Sequence, residues 1–455
     1  IMISILEAQY RCENGPLMDE NKFNLKLMKY LRGLPKKYGI ELKEGEFIPD
    51  DETADKVFQA AIDLIVEVGL YNIDTNRVLE FTKEEIIDTI NSRKSIIHLG
   101  EGTDTIHIKH RWPEDTEPIV MCPGPAGMPA EEKYYIPLNL SFAKLPNSVG
   151  YTPSALLGAR GFANKAETPG ELITVLAEAS MNREVARQAG KPRAFILEPM
   201  SAVSPYAVFA SFNPDGYSEK GSLMPTHVLP DLKINWERIT LAAYALERGI
   251  QPWTGAGTGL GTNTRNAVEA AISQIAGTLG VMTYNNGHSM WTSTFDRDGL
   301  ISCREVLKMT GLVNVAVSRN LKIPIAGSTG AAAGPCTTMA LKELSACMIA
   351  TTVSGAGWLW LVLPGKGVMT NGATGMEGKM LDEVGKAVEG MDRGTANELI
   401  GKLLATYEDQ LMDPPKGKTF PECYDVVKVE PTDEYKEIYA QAKEEMRQLG
   451  VPFRY

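Results

Sequence analysis

The most chemically suggestive residue in this chain is an acid placed directly after an apolar run. The segment "AFILEPM" (194–200) is apolar up to Leu197, and Glu198 follows at once. A carboxyl group at the end of a buried strand is suited to general acid–base chemistry. A carboxylate that caps a loop or pairs with an arginine would give the same pattern. Glu198 is therefore a candidate catalytic residue with a structural alternative.

A second polar group occurs in "TYNNGHSMW" (283–291), which we expect to be a strand terminus. Asn286 and His288 are candidates for hydrogen bonding or proton transfer, and Tyr284 and Trp291 could stack on an aromatic substrate. The alternative is a simple turn, since Asn-Asn-Gly is itself a turn sequence. Three polar side chains exceed what a turn requires, so we favour a functional role.

Two further loops carry candidates. His227 in "MPTHVLPD" follows the third or fourth predicted strand and is a candidate catalytic residue, with a structural loop histidine as the alternative. Ser328 lies at the strand end "AGSTGAAAGPC" and is a candidate for substrate binding. Cys336 in the same stretch could be a nucleophile, but Pro335 and Cys336 together favour the start of a helix.

The elements that would position these side chains alternate in type. From about residue 116 to the end at 455, roughly seven or eight short apolar segments are each followed by a helical pattern. Such strand–helix units predict a parallel sheet with right-handed crossovers. Their number favours an α/β fold of the (β/α)8 TIM-barrel type, with an open doubly wound sheet as the alternative. In a barrel, the strand ends would meet at one face.

The first 115 residues follow a different pattern. They are rich in charge and contain three helical patterns and the small hairpin "SIIHLG…TIHIKHRW". We therefore predict an N-terminal extension over residues 1–115 that packs on a barrel over residues 116–455. Two helical patterns near the C-terminus are predicted to pack outside the barrel.

The composition narrows the function classes. The 455-residue chain has a net charge of −11, which argues against nucleic acid or an anionic membrane as a partner. The apolar run "WLWLVLP" is too short to cross a bilayer. Six scattered cysteines without a CxxC pair indicate a reducing, cytoplasmic setting. The five histidines form no HExxH motif, so no metal site is predicted, although zinc at a dispersed site stays open.

The predicted strand ends share small residues. They read "CPGPAG", "TGAGTGLGTN", "AGSTGAAAGPC" and "PGKGVMTNGATG", which predicts a wide mouth where a large, flat ligand approaches the backbone. Neither "GAGTGLG" nor "GATGMEGK" has the spacing of a dinucleotide or phosphate loop. A Rossmann-type oxidoreductase is therefore disfavoured.

Several long segments resemble one family. "GPCTTMALKELSA", "KGVMTNGATGMEGKMLDEVGKAV" and "GKTFPECYDVVKVEPTDEYKEIY" are similar to the monomethylamine:corrinoid methyltransferase family of methanogens, and the similarity runs over essentially the whole chain. The resemblance implies a TIM barrel that presents a methyl donor to the Co(I) corrinoid of a separate corrinoid-binding protein. It also implies a homo-oligomer and no tightly bound cofactor.

The chain departs from that family at the expected site. The resemblance places Leu197 where the methylamine enzymes carry a pyrrolysine, and neutral "GIQPW" and Ser328 near the places of two polar partners. Leucine can neither form an imine adduct nor hydrogen-bond an ammonium group. Relatives without pyrrolysine are associated with other donors, including methoxylated aromatic compounds.

The sequence thus predicts an O-demethylating methyltransferase for methoxylated aromatics. Its apolar slot would be lined by a set of candidate substrate-binding residues: Leu197, Met200, Tyr206, Tyr284 and Trp291. Proton or hydrogen-bond donors for the departing phenolate would come from the candidate catalytic residues: Glu198, His227, Asn286 and His288. The alternatives are a methyltransferase for a small or quaternary methylamine, and a noncatalytic scaffold for the corrinoid protein.

Overall fold

A ring of short parallel strands forms the centre of the molecule. The computed structural model describes residues 3–292 and 295–454. Within those residues the ring has eight strands: β1 Val120–Met121, β2 Gly150–Tyr151, β3 Phe195–Ile196, β4 Leu223–Pro225, β5 Gln251–Trp253, β6 Met290–Trp291, β7 Ile325–Gly330 and β8 Trp358–Leu363. Most strand residues are buried, because helices cover the ring from outside.

The strand pairings close the ring. β8 pairs in parallel with both β7 and β1, and β7 pairs with β6. β2 pairs with β3 and β4 with β5. Single parallel bridges, Thr254 with Met290 and Met121 with Ser148, join β5 to β6 and β1 to the start of β2. The backbone N–H of Leu223 donates to the Leu197 carbonyl over 2.7 Å and that of Ile196 to the Gly221 carbonyl over 2.9 Å, which joins β4 to β3. The predicted (β/α)8 barrel is confirmed.

The helices lie before, around and after the barrel. Four precede it: α1 Ile5–Asn14, α2 Glu20–Tyr38, α3 Asp51–Val68 and α4 Lys83–Asn91. Eight follow the strands in turn: α5 Glu132–Ala143, α6 Pro169–Gln188, α7 Pro205–Ser211, α8 Trp236–Arg248, α9 Ala267–Asn285, α10 Arg304–Asn320, α11 Thr338–Val353 and α12 Gly375–Ala387. Three complete the chain: α13 Arg393–Leu404, α14 Phe420–Cys423 and α15 Asp433–Leu449.

Short strands outside the barrel tie its loops together. They occur in these pairs: Leu70–Asn72 with Arg77–Leu79 and with Lys233–Ile234, Ile96–Leu99 with Ile106–Lys109, Pro129–Ala130 with Ala155–Leu156, Gly158–Ala159 with Phe162–Ala163, Gly259–Leu260 with Phe295–Asp296, and Tyr424–Asp425 with Glu430–Pro431. The strand at 233–234 belongs to the loop after β4, so the N-terminal extension is joined to that loop.

Helix α9 is longer than the sequence predicts. Residues 283–291 are expected to be a strand terminus, yet the helix continues to Asn285 and is capped by Asn286, which is left-handed with φ of 56°. A Cβ at Gly280 would lie 2.8 Å from Cδ1 of Ile65 on α3, so this glycine serves close helix packing. The strand predicted to end within residues 283–291 is therefore misplaced, and β6 begins only at Met290.

The terminal segments pack on the outside of the barrel. Helix α3 packs against α9 and α10, and helices α13 and α15 pack against α11. Gly334, in the loop after β7, meets the C-terminal segment so closely that a Cβ would lie 1.8 Å from the carbonyl oxygen of Lys416. The division between residues 1–115 and 116–455 stays a prediction. None of the described helices is long and apolar enough to span a membrane.

Candidate active site

Aromatic rings fill the inside of the barrel. The ring centroid of Trp358 lies 5.6 Å from that of Phe195 and 5.2 Å from that of Trp253. Trp360, two residues further along β8, lies 5.4 Å from Trp253. Both indoles contact Trp253, which places Trp358 and Trp360 inside the barrel although the pairing of β7 with β8 shifts register at Gly327 and Ser328. Leu197, two residues beyond Phe195 in the chain, is fully buried.

His227 and Trp291 lie at the end of the barrel where the strands finish. The indole Nε1 of Trp291 donates a hydrogen bond to Nδ1 of His227 over 2.9 Å. Because an indole N–H can only donate, Nδ1 must be unprotonated and the proton must lie on Nε2. His227 is therefore a neutral imidazole with a fixed tautomer. Trp291 also reaches Trp360, with 6.4 Å between ring centroids.

Glu198 faces this histidine. Its Oε2 lies 3.8 Å from Nε2 of His227, and Oε2 is buried without a hydrogen-bond partner among the described residues. Arg238 is a partly buried cation near Glu198. Burial lowers the pKa of its guanidinium, and the charge of Glu198 raises it. The Arg238 guanidinium donates to the Pro225 carbonyl over 3.2 Å and forms no described ion pair with Glu198. Among the described residues, the carboxylate therefore interacts with Arg238 only at longer range, and its contact in the site is His227.

Ser328 completes the group. Its Oγ, at the middle of β7, accepts a hydrogen bond of 3.0 Å from Nε1 of Trp360. The structure thus brings four predicted site residues into one region, Glu198, His227, Trp291 and Ser328, and Leu197 precedes Glu198 in the chain. We call Trp253, Trp291, Trp358 and Trp360 the tryptophan cluster.

The position of Trp291 depends on a glycine. A Cβ at Gly255 would lie 2.1 Å from Cε2 of Trp291, a distance that real side chains do not adopt. We therefore expect Gly255→Ala to push the indole away from His227 and to cost about 1–3 kcal/mol of stability. Tryptophan emission and the imidazole ¹⁵N shifts of His227 would both change. Gly257→Ala is the matched control, because its nearest atom, Cγ of Pro230, would be 3.4 Å away. Identical spectra for the two variants would contradict this prediction.

Two buried carboxylates hold the loop that follows Glu198. Glu178 of α6 accepts hydrogen bonds from the backbone N–H of Met200 at 2.9 Å and of Ser201 at 2.7 Å. Glu171, seven residues earlier on the same helix face, accepts from the N–H groups of Val203 and Ser204, each at 2.7 Å. The loop backbone is therefore fixed from behind by α6.

A third buried carboxylate, that of Glu343, fixes the backbone of the loop after β7. Glu343 of α11 accepts from the backbone N–H of Ala332 at 2.7 Å and of Ala333 at 3.0 Å. Burial raises the pKa of Glu178 to about 7 and that of Glu343 to about 7. The N–H donors lower both pKa values, but burial outweighs them.

These raised pKa values predict a pH dependence of stability. A carboxyl group with an ordinary pKa of 4.5 in the unfolded chain and about 7 in the fold binds more protons when folded between those values. Its contribution to stability is therefore fully present below about pH 4.5 and lost as pH rises to about 7. We expect the stability difference between wild type and Glu178→Gln to shrink by a few kcal/mol from pH 5 to pH 7. Urea unfolding across this range tests it; a difference that grows with pH would contradict it.

Asn286 and His288 are not at the strand ends. They precede β6, so they lie where the strand begins, on the opposite face of the barrel from Glu198. Arg93 Nη1 donates to the Gly287 carbonyl there over 2.7 Å. Burial, with the charges of Arg93 and Lys94, lowers the pKa of His288 to about 4. The expectation that these two residues join Glu198 is wrong, because α9 extends through the predicted strand.

Three predicted slot residues lie elsewhere. Tyr284 is on α9 and fully buried; burial raises the pKa of its phenol, and so does Cys12 of α1, which places it toward the N-terminal extension. It does not line the barrel mouth. Met200 is half-buried in the loop after β3, with its Sδ 3.7 Å from the Cβ position of Gly127. Tyr206, at the start of α7, is 52% exposed at the rim.

Trp253, Trp358 and Trp360 were not among the predicted site residues. The signal was present in "WLWLVLP", where alternation places two indoles on one face of a buried strand. Within residues 3–292 and 295–454, no group of three or more His, Cys, Asp or Glu side chains could hold a metal ion.

Known proteins resemble this chain over nearly its full length. The model of the family described as "Monomethylamine methyltransferase MtmB" matches residues 3–451. The chain is 30% identical over 435 residues to monomethylamine methyltransferase MtmB1 of Methanosarcina acetivorans and, over the same length, to MtmB of Methanosarcina mazei, with 92% of each chain covered. The crystal structure of Methanosarcina barkeri monomethylamine methyltransferase matches with a TM-score of 0.94 and 28% identity, over 100% of this chain and 99% of that one.

Proposed function

The chain belongs to the monomethylamine methyltransferase MtmB family, and on that premise we propose that it transfers a methyl group from a methylated ammonium compound to a corrinoid protein. Family membership makes it a methyltransferase, and the corrinoid is carried by a partner protein.

The observation that carries the proposal is the unpaired carboxylate of Glu198. Its buried Oε2 faces a histidine that is held neutral by Trp291, so His227 does not balance the charge. Arg238 interacts with the charge of Glu198 but forms no described ion pair with it, so a cationic donor would supply a close positive charge. The electron-rich faces of the indoles attract a cation as well. Glu198 and the tryptophan cluster thus favour an ammonium compound.

A methoxylated aromatic donor fits this site less well, and the names of the relatives give it no support. Its departing phenolate would form as an anion beside Glu198. His227 is neutral and its Nδ1 is occupied, so it is a poor acid for that phenolate. We therefore do not propose a methoxylated aromatic donor, although Leu197 by itself suggests one.

An ammonium donor requires little of the protein beyond orientation. A reduced corrinoid supplies the nucleophile that accepts the methyl group. When the C–N bond breaks, its electron pair stays on nitrogen and a neutral amine leaves. Glu198 would hold the cation by its charge, and the indoles of Trp291 and Trp360 would limit its position. No side chain has to move a proton in this step.

The rim of the barrel fits a large, largely apolar partner surface. Four loops at the carboxyl ends of the strands expose apolar side chains: Leu157, Phe162, Val203, Tyr206, Phe295 and Val368. Val368 is 75% exposed. Such side chains suit contact with a corrinoid macrocycle and the protein that carries it. The homo-oligomer and the cytoplasmic location inferred from the sequence stay predictions.

The test is a donor panel. The protein is mixed with a reduced corrinoid protein, and with free reduced cobalamin in parallel. Methylammonium, dimethylammonium, trimethylammonium, tetramethylammonium and a set of methoxybenzenes are added singly. Methylation of the corrinoid is followed by its absorbance. We expect turnover with one or more of the ammonium compounds only. Turnover with methoxybenzenes alone, or with no donor, would overturn the proposal.

A further inference from the structure

We propose that His98 and His107 form a binding site for a divalent transition-metal ion that prefers nitrogen ligands. The two histidines lie on the hairpin of Ile96–Leu99 and Ile106–Lys109, outside the barrel. They are nine residues apart in the chain. The proposal concerns the N-terminal extension and does not depend on the identity of the methyl donor.

The hairpin places the two imidazoles directly opposite each other. His98 pairs with His107 in the antiparallel register, so their side chains leave the same face of the hairpin. Because side chains alternate between the two faces of a strand, Ile97 and Leu99 turn to the core and are buried, whereas both histidines are exposed. A dissolved ion can therefore reach the pair from solvent.

The ring nitrogens of the pair converge. Nδ1 of His98 lies 2.5 Å from Nδ1 of His107, and the ring centroids are 4.7 Å apart at an interplanar angle of 81°. In the neutral pair, one Nδ1 donates a proton and the other accepts it, so the two rings are different tautomers. On metal binding, that proton would move through solvent to Nε2 of its own ring. The ion would then receive a lone pair from each Nδ1, with no net change in protonation.

The rings need to separate only slightly to hold an ion. Two imidazole nitrogens that bind one ion at about 2.0–2.1 Å each lie about 3.0–3.4 Å apart when the angle at the metal is between octahedral and tetrahedral. The two Nδ1 atoms would therefore move apart by less than about 1 Å. Both side chains are exposed, so small rotations about their χ angles can supply this movement.

The chemistry of the two ligands selects the ion. Imidazole suits Cu²⁺, Ni²⁺ and Zn²⁺, whereas Mg²⁺ and Ca²⁺ prefer oxygen ligands. In the part of the chain that the structure describes, no third His, Cys, Asp or Glu side chain completes a ligand group. Water would fill the remaining positions, so we expect an exchangeable site and not a closed structural one.

A bound ion would hold the two strands of the hairpin together. Its ligands come from different strands, so the ion binds the folded hairpin better than an open one and stabilises it. The hairpin turn also contacts the barrel. The N–H of Gly100 donates to the Lys220 carbonyl over 2.9 Å. The N–H of Glu101 donates to the Arg193 carbonyl over 3.1 Å. Both carbonyls precede barrel strands, on the face opposite Glu198.

Titration of the full chain with Ni²⁺, Zn²⁺ and Mg²⁺ by calorimetry tests the site. We expect Ni²⁺ and Zn²⁺ to bind wild type at least roughly tenfold more tightly than His98→Ala or His107→Ala, since even a change outside the ligand shell has an effect of that size. Lys109→Ala is the matched control, because it removes another exposed side chain from the same face and keeps both histidines. It should bind these ions as wild type does or more tightly, since a positive charge is lost. Mg²⁺ should not distinguish the variants.

Hydrogen exchange provides a second readout that needs no variant. Saturating Zn²⁺ should slow exchange of the amides at 96–99 and 106–109 in wild type, because the ion stabilises the paired hairpin. In His98→Ala the same amides should not respond to Zn²⁺. Equal binding of Ni²⁺ and Zn²⁺ by wild type and both alanine variants would overturn the proposal. Hairpin exchange in wild type that does not respond to Zn²⁺ would overturn it as well.

Discussion

Glu198→Gln is expected to lower kcat/KM for a methylated ammonium donor by roughly 30-fold to 1,000-fold. Glutamine keeps the size of the side chain but removes its charge, so the cation loses its counter-ion. Since nothing else of opposite charge is described beside the site, the loss should fall on donor binding and on orientation together. Initial rates of corrinoid methylation over a range of donor concentrations measure it.

Two further variants make this result specific. Glu184→Gln changes an exposed glutamate of α6 that pairs with Arg187, and its rates should match those of wild type. Glu198→Asp keeps the charge on a shorter side chain and should recover part of the lost activity. An unchanged kcat/KM in Glu198→Gln would remove this carboxylate from the proposed mechanism.

Glu178→Ala is expected to destabilise the protein by about 3–5 kcal/mol. The substitution leaves three donors without an acceptor: the N–H groups of Met200 and Ser201 and the hydroxyl of Tyr217. Each buried donor that loses its partner costs about 1–3 kcal/mol. Because two of them belong to the loop after Glu198, the loop should also loosen.

Urea unfolding measures the loss of stability, and hydrogen exchange measures the loosening of the loop. The unfolding midpoint should fall, and the amides of Met200 and Ser201 should exchange faster than those of the barrel strands. Glu184→Ala, six residues later on the same helix but exposed, should change neither. A destabilisation below about 1 kcal/mol would show that water replaces the carboxylate without loss.

Much of the fold was predictable because strands and helices alternate along the chain. Six of the barrel's helices begin at a capping side chain or at a proline, as α6 does at Pro169. The N-termini of these helices could therefore be predicted from the sequence. The error at α9 has a physical cause. This helix is buried on all sides by the barrel and by α3, so it lacks the polar face that marks a helix in sequence.

The site was predictable only in part. Glu198, His227 and Ser328 each follow or end an apolar segment, and closure of the barrel brings such positions together. The positions of Asn286 and His288 were predicted wrongly because β6 is only two residues long, and so short a strand gives almost no sequence pattern that locates its ends. The tautomer of His227 could not be predicted from the sequence, because it depends on a hydrogen bond from Trp291, 64 residues away in the chain.

The aromatic rings inside the barrel block its interior, and this affects how the donor and the partner protein bind. Because Trp253, Trp358 and Trp360 occupy the interior, a donor cannot sink into the barrel and must sit level with Glu198, near solvent. His227 and Trp291 remain partly exposed there. The partner protein must then act as the cover that removes water. Donor and partner should therefore strengthen each other's binding, as thermodynamic linkage requires when each completes the enclosure of the other.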